Sequence, residues 1–469
     1  MSDCVIVWFR QDLRLADNPA LDRARRDFSA IVPVYIHDPD SEGDWAPGAA
    51  SRWWLYHSLA ELDRRLEGRG SRLIVANGDT LEQLDRIRRV TGADAVYWNR
   101  RYEPAVVERD RRIKAALTEQ GVEAKSFKAS LLYEPWELRK ADDTPYLVFT
   151  PFWKRMQKDW QPLAPCPEPR ELPTPKRWPV SADLSDIGLL PDHHWKDKLA
   201  DAWEPGELAA RRRLESFVED QVTGYASRRD RPDQAGTSRL SPSLHFGELS
   251  PGQVVRAFGR DGELPGGQGA LSYVREIAWR EFSTHLLFHF PKTPGQPLRK
   301  EFADFPWRKP SDYAEDLAAW QRGRTGIPLV DAGMRELWET GWMHNRVRMV
   351  VASFLTKNLL IPWQEGARWF WDTLVDADLG NNTQGWQWTA GCGADAAPYF
   401  RIFNPVLQGR KFDPNTDYIT RWCPELKELP VRHRHAPWEN DEKSFSAPLV
   451  DLGQTRRRAL AAYQEIRKG

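Results

Sequence analysis

The stretch Val5-Ile6-Val7-Trp8-Phe9 decides the fold of the N-terminal part of the chain. Five consecutive apolar residues are typical of a strand that is buried on both faces, as the strands of parallel sheets are. Asp17-Asn18-Pro19 follows, and this order of residues predicts the N-cap and first turn of a helix. A strand followed at once by a helix favours an α/β domain.

The same alternation continues to residue 127. Further strands are predicted at residues 30–36, 72–76, 95–98 and 123–127, and further helices at residues 51–66, 80–90 and 104–119. Because helices connect the strands, they imply a parallel sheet with right-handed crossovers. We therefore predict a Rossmann-like α/β domain with a five-stranded parallel sheet over residues 1–130. The chain has no GxGxxG or GxxxxGK[ST] motif, which disfavours an ordinary dinucleotide or P-loop phosphate site.

The composition changes after this domain. Residues 161–180 contain seven prolines, which stiffen the chain and remove hydrogen-bond donors, so residues 131–205 are predicted to be a linker. From residue 207 onward the strand patterns give way to helical ones. Helices are predicted at residues 207–219, 250–258, 270–289, 312–322, 328–340, 344–358, 363–374 and 455–467. Residues 206–469 are therefore predicted to form an all-α domain.

The charge balance restricts the class of partner. The 469 residues include 67 Lys and Arg and 67 Asp and Glu, so the net charge is zero and any anionic partner must be met by a local patch. No apolar run approaches the length of about 20 residues that a membrane span needs, and no signal peptide is evident, so a cytoplasmic protein is expected. The four cysteines have no CxxC spacing and the histidines no ligand spacing, so no metal site is expected. The 23 tryptophans suggest aromatic surfaces with a role beyond packing.

Two polar clusters in the helical part could bind a ligand. The turn Gly236–Pro242 offers backbone N–H groups, hydroxyls and Arg239 to a phosphate, although Ser and Thr before a helix usually only cap it. Glu276, Trp279 and Arg280 share one helix face, where a carboxylate beside a Trp ring could bind a planar ligand. The alternative is a surface Glu–Arg pair.

A second helix predicts a similar face. Trp342, Asn345, Arg346 and Met349 lie on one side of predicted helix 344–358, and Arg348 is about 100° away from Met349. Buried polar groups need partners, so this face is typical of a site. The alternative is a core methionine with surface polar residues.

Acidic and amide side chains precede a tryptophan pair. Asp376, Asp378, Asn381 and Asn382 lie just before Gly385-Trp386-Gln387-Trp388, and the calcium-loop pattern is absent. We expect Asp376 to hold an arginine, and Asp378 and Asn382 to bind a flat heteroaromatic ring. Trp386 and Trp388 would face the same side of an extended segment, but would diverge by about 200° on a helix.

Several ordered motifs carry a resemblance to a known family. They are Val7–Leu15, Gly236–Pro242, Glu276–Phe282, Thr340–Arg346, Trp386–Trp388 and Arg401–Pro405. In these motifs the chain resembles the photolyase/cryptochrome family, and most closely the class I cyclobutane pyrimidine dimer photolyases. The resemblance implies that the helical domain is an FAD-binding catalytic domain and that the partner is UV-damaged DNA, bound by a monomer.

The resemblance also implies a set of cofactor-binding residues for a folded FAD. Its phosphates would be held by Tyr225, Thr237, Ser238, Arg239, Leu240 and Ser241. Arg348 would pair with Asp376 over the flavin, Asp378 would contact the ring system, and Asn382 would lie at flavin N5. An uncharged Asn at that position suits the anionic reduced form, FADH−.

The implied activity is light-driven repair. Blue-light-excited FADH− would transfer an electron to a cyclobutane pyrimidine dimer that is flipped out of the duplex, and the dimer would split. The residues around the dimer would be Glu276, Trp279, Asn345, Met349 and Trp388, and the DNA contacts would add Arg229, Arg346 and Arg401. Trp386, Trp363 and Trp307 match the family's electron-transfer chain from the flavin to the surface.

A second chromophore and two other functions stay open. The N-terminal domain would bind an antenna, either a deazaflavin or methenyltetrahydrofolate, or none; the folate is disfavoured because the Cys that often follows the His-Phe-Pro segment is missing after His289-Phe290-Pro291. A cryptochrome-type blue-light receptor is one alternative, although cryptochromes usually carry a long C-terminal tail and this chain ends shortly after residues 455–467. A six-four photolyase is the other; those enzymes use a His pair where this sequence has His344-Asn345.

Overall fold

The protein is described here from a computed structural model. The description covers residues 3–161, 164–191, 195–259, 262–395, 400–440 and 447–467. The predicted linker, residues 131–205, therefore includes two short stretches, 162–163 and 192–194, that lie outside the described residues.

The N-terminal part contains the predicted parallel sheet. Its strands are β1 (Val5–Phe9), β2 (Ile31–His37), β3 (Ile74–Asn77), β4 (Ala95–Asn99) and β5 (Glu123–Phe127). The spatial order is β3-β2-β1-β4-β5, and every neighbouring pair is parallel. The chain order reverses between β1 and β4, as in doubly wound sheets. The prediction of a five-stranded parallel sheet is confirmed.

Burial explains why these runs form strands. Every residue of the central strand β1 is buried, whereas the edge strand β5 is only partly covered. Helices α1 (Pro19–Asp27), α2 (Ala49–Glu67), α3 (Thr80–Thr91) and α4 (Pro104–Glu119) connect and cover the strands. The first helix begins as predicted, because the Asn18 side chain accepts a hydrogen bond from the Leu21 N–H at 3.2 Å.

Beyond β5 the described residues contain no strand. The helices are α5 (Phe149–Lys158), α6 (Trp195–Ala202), α7 (Glu207–Ser216), α8 (Tyr225–Arg228), α9 (Ser241–His245), α10 (Pro251–Phe258), α11 (Gln268–His289), α12 (Pro310–Gln321), α13 (Pro328–Thr340), α14 (Asn345–Ser353), α15 (Trp363–Thr373), α16 (Leu379–Ala390), α17 (Pro405–Phe412), α18 (Asp417–Trp422) and α19 (Leu452–Ile466). The predicted change from an α/β part to a helical part is confirmed. Helices α5 and α6 lie in the segment that was expected to be a linker.

Two predicted helices differ in their interior. The helix predicted at residues 207–219 ends as α7 at Ser216 and continues as a π-helical turn, Phe217–Gln221. The sequence predicts an uninterrupted helix at residues 344–358, but α14 ends at Ser353 and continues as a π-helical turn, Phe354–Asn358. Such turns shift the side chains that follow relative to an α-helix and occur often at functional sites. The turn after α14 contains Lys357 and Asn358, and both are buried.

The chain folds into two compact units. The first consists of residues 1–145, 150–223 and 238–291, and the second of residues 146–149, 224–237 and 292–469. An apolar core in the second unit includes Trp320, Val347, Phe370 and Trp386, and α15 packs on α16. The predicted domain boundaries at residues 130 and 205 stay a prediction. No helix in the described part of the chain is long and apolar enough to cross a membrane.

Candidate active site

Helix α16 positions most of the predicted ring-binding residues. Asp378 is its N-cap and accepts a hydrogen bond from the Asn381 N–H at 2.8 Å. The segment is helical, which decides between the two arrangements of its tryptophans: Trp386 is 2% exposed, whereas Trp388 is only partly buried. The two rings therefore point in different directions.

Trp386 lies in a pocket that only a glycine allows. A Cβ atom added to Gly366 of α15 would be 2.0 Å from the Trp386 ring atom Cη2, so the ring packs directly on the α15 backbone. The rings of Phe370 and Trp320 complete the pocket, with centroids 5.0 and 6.2 Å from that of Trp386. Trp363 begins α15 and is also buried.

Trp307, the third predicted electron-transfer residue, lies at the edge of the same apolar core. It is partly buried, and its ring centroid is 4.4 Å from that of Phe305. The second unit thus contains all three tryptophans of the predicted chain. Their order in electron transfer stays a prediction.

Gln387 fixes the end of α16, and the sequence analysis missed it. Its amide nitrogen donates to the carbonyls of Thr293 and Gln296 at 2.7 and 2.8 Å, and its oxygen accepts from the Leu298 N–H at 2.9 Å. The side chain is fully buried. An amide between two tryptophans was the available signal, since a buried amide must find partners for both of its ends.

Arg348 and Asp376 form the predicted ion pair. The Arg348 Nη2 lies 2.8 Å from Asp376 Oδ2, and the Arg348 Nε donates to the carbonyl of Met343 at 2.7 Å. Asp376 is 8% exposed. The pair connects α14, which carries Arg348, to the segment just before α16, which carries Asn382, and the two helices pack together.

His344 begins α14 as its N-cap. Its Nδ1 accepts the Arg346 N–H at 3.2 Å, and burial lowers the pKa of the imidazole to about 4. The ring is therefore neutral near pH 7, and with Nδ1 accepting, Nε2 carries the proton. Asn345 is exposed in the first turn of α14, and Met349 packs partly on the core one turn further along.

The second unit has unpartnered donors that suit a flavin ring. Three buried nitrogens, His344 Nε2, Gln384 Nε2 and Trp386 Nε1, have no hydrogen-bond partner within the described residues. Asn382 donates to the Ala367 carbonyl at 2.9 Å, and its oxygen has no partner in the part of the chain that the structure describes. A flavin ring carries carbonyl oxygens, ring nitrogens and N–H groups, so the residues present fit it.

Three arginines that are predicted to contact DNA phosphates belong to the second unit. The Arg346 Nη2 pairs with Asp230 Oδ2 at 2.9 Å, and its guanidinium lies 4.4 Å from the Phe412 ring centroid. Arg229 lies over the Tyr225 ring at 5.6 Å, and Arg401 is exposed. Their role as DNA contacts stays a prediction.

The first unit carries Glu276 and Trp279 on α11. Both are partly exposed, and the Trp279 ring meets Phe282 edge-on at 5.8 Å. Arg280 donates to the carbonyls of Ser130 and Leu244 at 2.6 and 3.3 Å, and its Nη1 lies 3.8 Å from Glu281 Oε1.

The same helix carries a second carboxylate that the sequence analysis missed. Glu281 is 2% exposed and accepts the N–H groups of Leu132 and Tyr133 at 2.9 and 3.1 Å. Burial raises its pKa to about 7. Glu281 thereby fixes α11 to the segment that follows β5.

The predicted phosphate-binding residues are divided between the units: Tyr225 and Thr237 belong to the second, and Ser238, Arg239, Leu240 and Ser241 to the first. Ser238 shares a hydrogen bond of 2.7 Å with the Tyr273 hydroxyl and accepts the Leu240 N–H. Arg239 has a φ of 52°, which is rare for a residue with a side chain. The N-cap of α9 is Leu240, so Ser238 does not cap this helix in the ordinary way.

The carboxyl edge of the sheet is where a doubly wound fold usually binds a ligand. Here Arg10 pairs with Asp110 at 2.6 Å, and Asn99 donates to Asp12 at 2.6 Å. Arg10, Asp12 and Asn99 are all buried, so the protein's own side chains occupy this edge between β1 and β4. A deazaflavin or folate antenna stays a prediction.

Comparison with known proteins identifies the class. Residues 273–465 match the family described as the FAD binding domain of DNA photolyase, and residues 5–173 match the DNA photolyase family. The chain therefore belongs to the DNA photolyase/cryptochrome family, and its helical part contains an FAD-binding domain of that family. Both expectations from the sequence motifs are confirmed.

Individual relatives are similar over the whole chain. A deoxyribodipyrimidine photo-lyase of Agrobacterium fabrum is 46% identical, over 99% of this chain and 98% of the relative. Cryptochrome-1 of Arabidopsis thaliana is 40% identical, over 96% of this chain and 67% of the relative. The crystal structure of a bacterial class III photolyase from Agrobacterium tumefaciens is 45% identical with a TM-score of 0.95, over 100% of this chain and 98% of that one.

Proposed function

We propose that this protein is a photolyase that splits cyclobutane pyrimidine dimers in UV-damaged DNA under blue light. The observation that carries the proposal is a set of side chains on α14, on α16 and in the segment between α15 and α16. It comprises the Arg348–Asp376 pair and buried donors that have no partner within the described residues. Full-length similarity to photo-lyases supports it. FAD, in its reduced form FADH−, would supply the photoexcited electron.

The chain's own residues would hold and tune the flavin. The Asn382 amide nitrogen donates to the Ala367 carbonyl. Its oxygen has no partner within the described residues and could accept a hydrogen bond from the N5–H of the reduced flavin. Arg348 would balance the negative charge of a reduced ring, while Asp376 holds its guanidinium in place. Neutral His344, Gln384 and Trp386 would add donors from buried positions.

Other residues would bind the damaged DNA. The dimer would leave the stack at a cost of a few kcal/mol, which is least for a distorted lesion. Trp279 and Trp388 would pack its apolar faces, Glu276 and Asn345 would bind its polar edges, and Met349 would contact the cyclobutane side. Arg229, Arg346 and Arg401 would hold the phosphates in register. We also propose that the protein acts as a monomer and that any antenna binds the N-terminal part.

The subclass has two candidates. The motifs resemble class I enzymes, whereas a solved structure with 45% identity is that of a bacterial class III photolyase. We propose the same substrate and the same cofactor for this protein whether it belongs to class I or to class III.

A six-four photolyase is less well supported. That activity would need a His side chain that exchanges a proton at the lesion. His344 is 3% exposed and its pKa is about 4, so it is poorly suited to carry a proton near neutral pH.

The test compares two lesions under one light source. Flavin-loaded, chemically reduced protein is illuminated with oligonucleotides that carry either a thymine cyclobutane dimer or a six-four product, and intact thymine is measured by its absorbance. We expect recovery from the cyclobutane dimer alone and none in the dark. Recovery from the six-four product alone would replace the proposed substrate, and recovery from neither would favour a signalling receptor.

A further inference from the structure

A cavity of about 570 Å³ opens beside α17 in the second unit. We call it the α17 cavity. Apolar side chains form part of its wall: Ile402, Phe403, Leu407 and Phe412. Its volume is in the range of ordinary small-ligand sites. Arg346 and Arg401 line one side, so the cavity adjoins the proposed DNA contacts, but most of its lining has no assigned role.

The α17 cavity is strongly basic in a chain with no net charge. Four cations line it, Arg346, Arg401, Lys411 and Arg456, against one carboxylate, Asp230, which is paired with Arg346 at 2.9 Å. Within the described residues neither Lys411 nor Arg456 has an ion-pair partner, and both are exposed. Cations collected in this way favour an anionic occupant.

A buried amide marks the same cavity. Asn358, from the π-helical turn after α14, lines it and is 2% exposed. Its nitrogen donates to the Thr455 hydroxyl at 2.8 Å, but its oxygen has no partner among the residues that the structure describes. A buried acceptor without a donor is unfavourable, so an occupant that carries an N–H group would be stabilised here.

The α17 cavity therefore suits an occupant with a negative charge, a flat and partly apolar body and an N–H donor. A nucleotide has all three, since its phosphate carries the charge and its base supplies the flat body and the donor. We propose that the α17 cavity binds a nucleotide of the damaged DNA that lies outside the dimer, with its phosphate at Lys411 and Arg456 and its base edge at the Asn358 oxygen. This inference rests on the proposed function. A free nucleoside monophosphate has the same chemistry, and the experiment must distinguish the two sources.

The first arm measures DNA binding in the dark. Arg456→Gln and Lys411→Gln each remove one cavity cation, and Arg457→Gln is the matched control, since Arg457 is an exposed neighbour on α19 that does not line the cavity. Fluorescence anisotropy with a dimer-containing duplex is recorded over a range of salt concentrations. We expect each cavity variant to bind several-fold more weakly and to lower the slope of log K against log salt by about 1. The control should match wild type.

The second arm locates the nucleotide. 2-Aminopurine is placed at successive positions flanking the dimer, and its fluorescence reports a base that has left the stack. We expect one flanking position to brighten with wild type and to respond less to Arg456→Gln. Equilibrium dialysis with AMP should show much weaker binding than the duplex; equally tight binding of AMP would assign the cavity to a free nucleotide and overturn the proposal.

The wild-type protein and the Arg457→Gln control distinguish a failure of the cavity proposal from a failure of the proposed function. If wild type prefers dimer-containing DNA and repairs it, but the cavity variants bind like Arg457→Gln, the cavity proposal is wrong and the proposed function stands. If wild type neither prefers nor repairs damaged DNA, the proposed function is wrong and the cavity proposal falls with it. Cavity variants that lose affinity while pre-reduced enzyme still repairs at saturating DNA would support both.

Discussion

Glu281 shows how burial sets the chemistry of a single carboxyl group. Its pKa is raised from 4.5 to about 7, so in the folded chain it keeps a proton that the unfolded chain has already lost over this range of pH. The folded state then binds more protons than the unfolded state, and the free energy of unfolding falls as pH rises from about 4.5 to 7.

Glu281→Gln should remove this dependence. Compared with wild type, the variant should gain stability across that window, on the order of 1–3 kcal/mol at its upper end, because a neutral amide pays no cost for burying a charge. Urea unfolding of both proteins at several pH values measures the difference. Parallel curves for variant and wild type would show that Glu281 does not titrate there.

Glu276 should act on the reaction more than on binding. Glu276→Ala should lower the yield of repair more than it lowers affinity for dimer-containing DNA, since the carboxyl is proposed to bind the dimer as charge develops on it. Glu276→Gln, which keeps a hydrogen-bonding side chain, should recover part of the loss. Anisotropy and repair yield are measured on the same preparations. Equal losses in both would remove Glu276 from this role.

At the scale of elements, the contact between α15 and α16 depends on one glycine. Gly366→Ala would place a methyl group 2.0 Å from the Trp386 ring, so the ring or the helix must move. Overpacking of this kind costs about 1–3 kcal/mol, which exceeds the gain of up to about 1 kcal/mol from replacing Gly by Ala in a helix. Thermal melting should show a loss of stability.

Gly385→Ala is the matched control. Gly385 is in α16, and a Cβ added there meets no atom within 4 Å. This variant should therefore be as stable as wild type or slightly more so. If both variants melted at the same temperature, the close packing of Trp386 on α15 would be contradicted.

A substitution of Trp386 on α16 tests the proposed path of electron transfer to the flavin. Trp386→Phe should stop photoreduction of bound oxidised FAD, because the first ring of the chain becomes harder to oxidise, while repair by chemically reduced protein continues. The flavin absorbance under light and the repair yield measure the two effects separately. A loss of repair in the pre-reduced variant would mean that Trp386 has another role.

At the scale of the whole molecule, local patterns predicted the five strands and most of the helices. Buried apolar runs such as Val5–Phe9 define strands without help from distant residues, and the predicted ends of the strands differ from the observed ones by only a few residues. Helices α5 and α6 were missed because the prolines nearby suggested a linker. The segment of α16 was left open between a helix and an extended chain, and the short helices α8, α9, α17 and α18 were not predicted. The ion pair of Arg348 with Asp376 was expected from the resemblance and is present.

Residues whose roles arise from distant contacts could not be predicted. Gln387 binds Thr293, 94 residues away in the chain, and Glu281 binds Leu132, 149 residues away. No local pattern contains these pairings. The α17 cavity was missed for the same reason, because Asn358, Lys411 and Arg456 come from three separate segments.

We propose that FAD bound by the helical part of this chain drives the splitting of pyrimidine dimers. The most direct measurement strips the protein of flavin, restores FAD, reduces it, and follows dimer splitting in blue light and in the dark. We expect dimers to be split only when FAD, reductant and light are all present, and the amount of splitting to rise in proportion to the FAD bound. Splitting that is unchanged without FAD, or no splitting by fully loaded and reduced protein, would contradict this proposal.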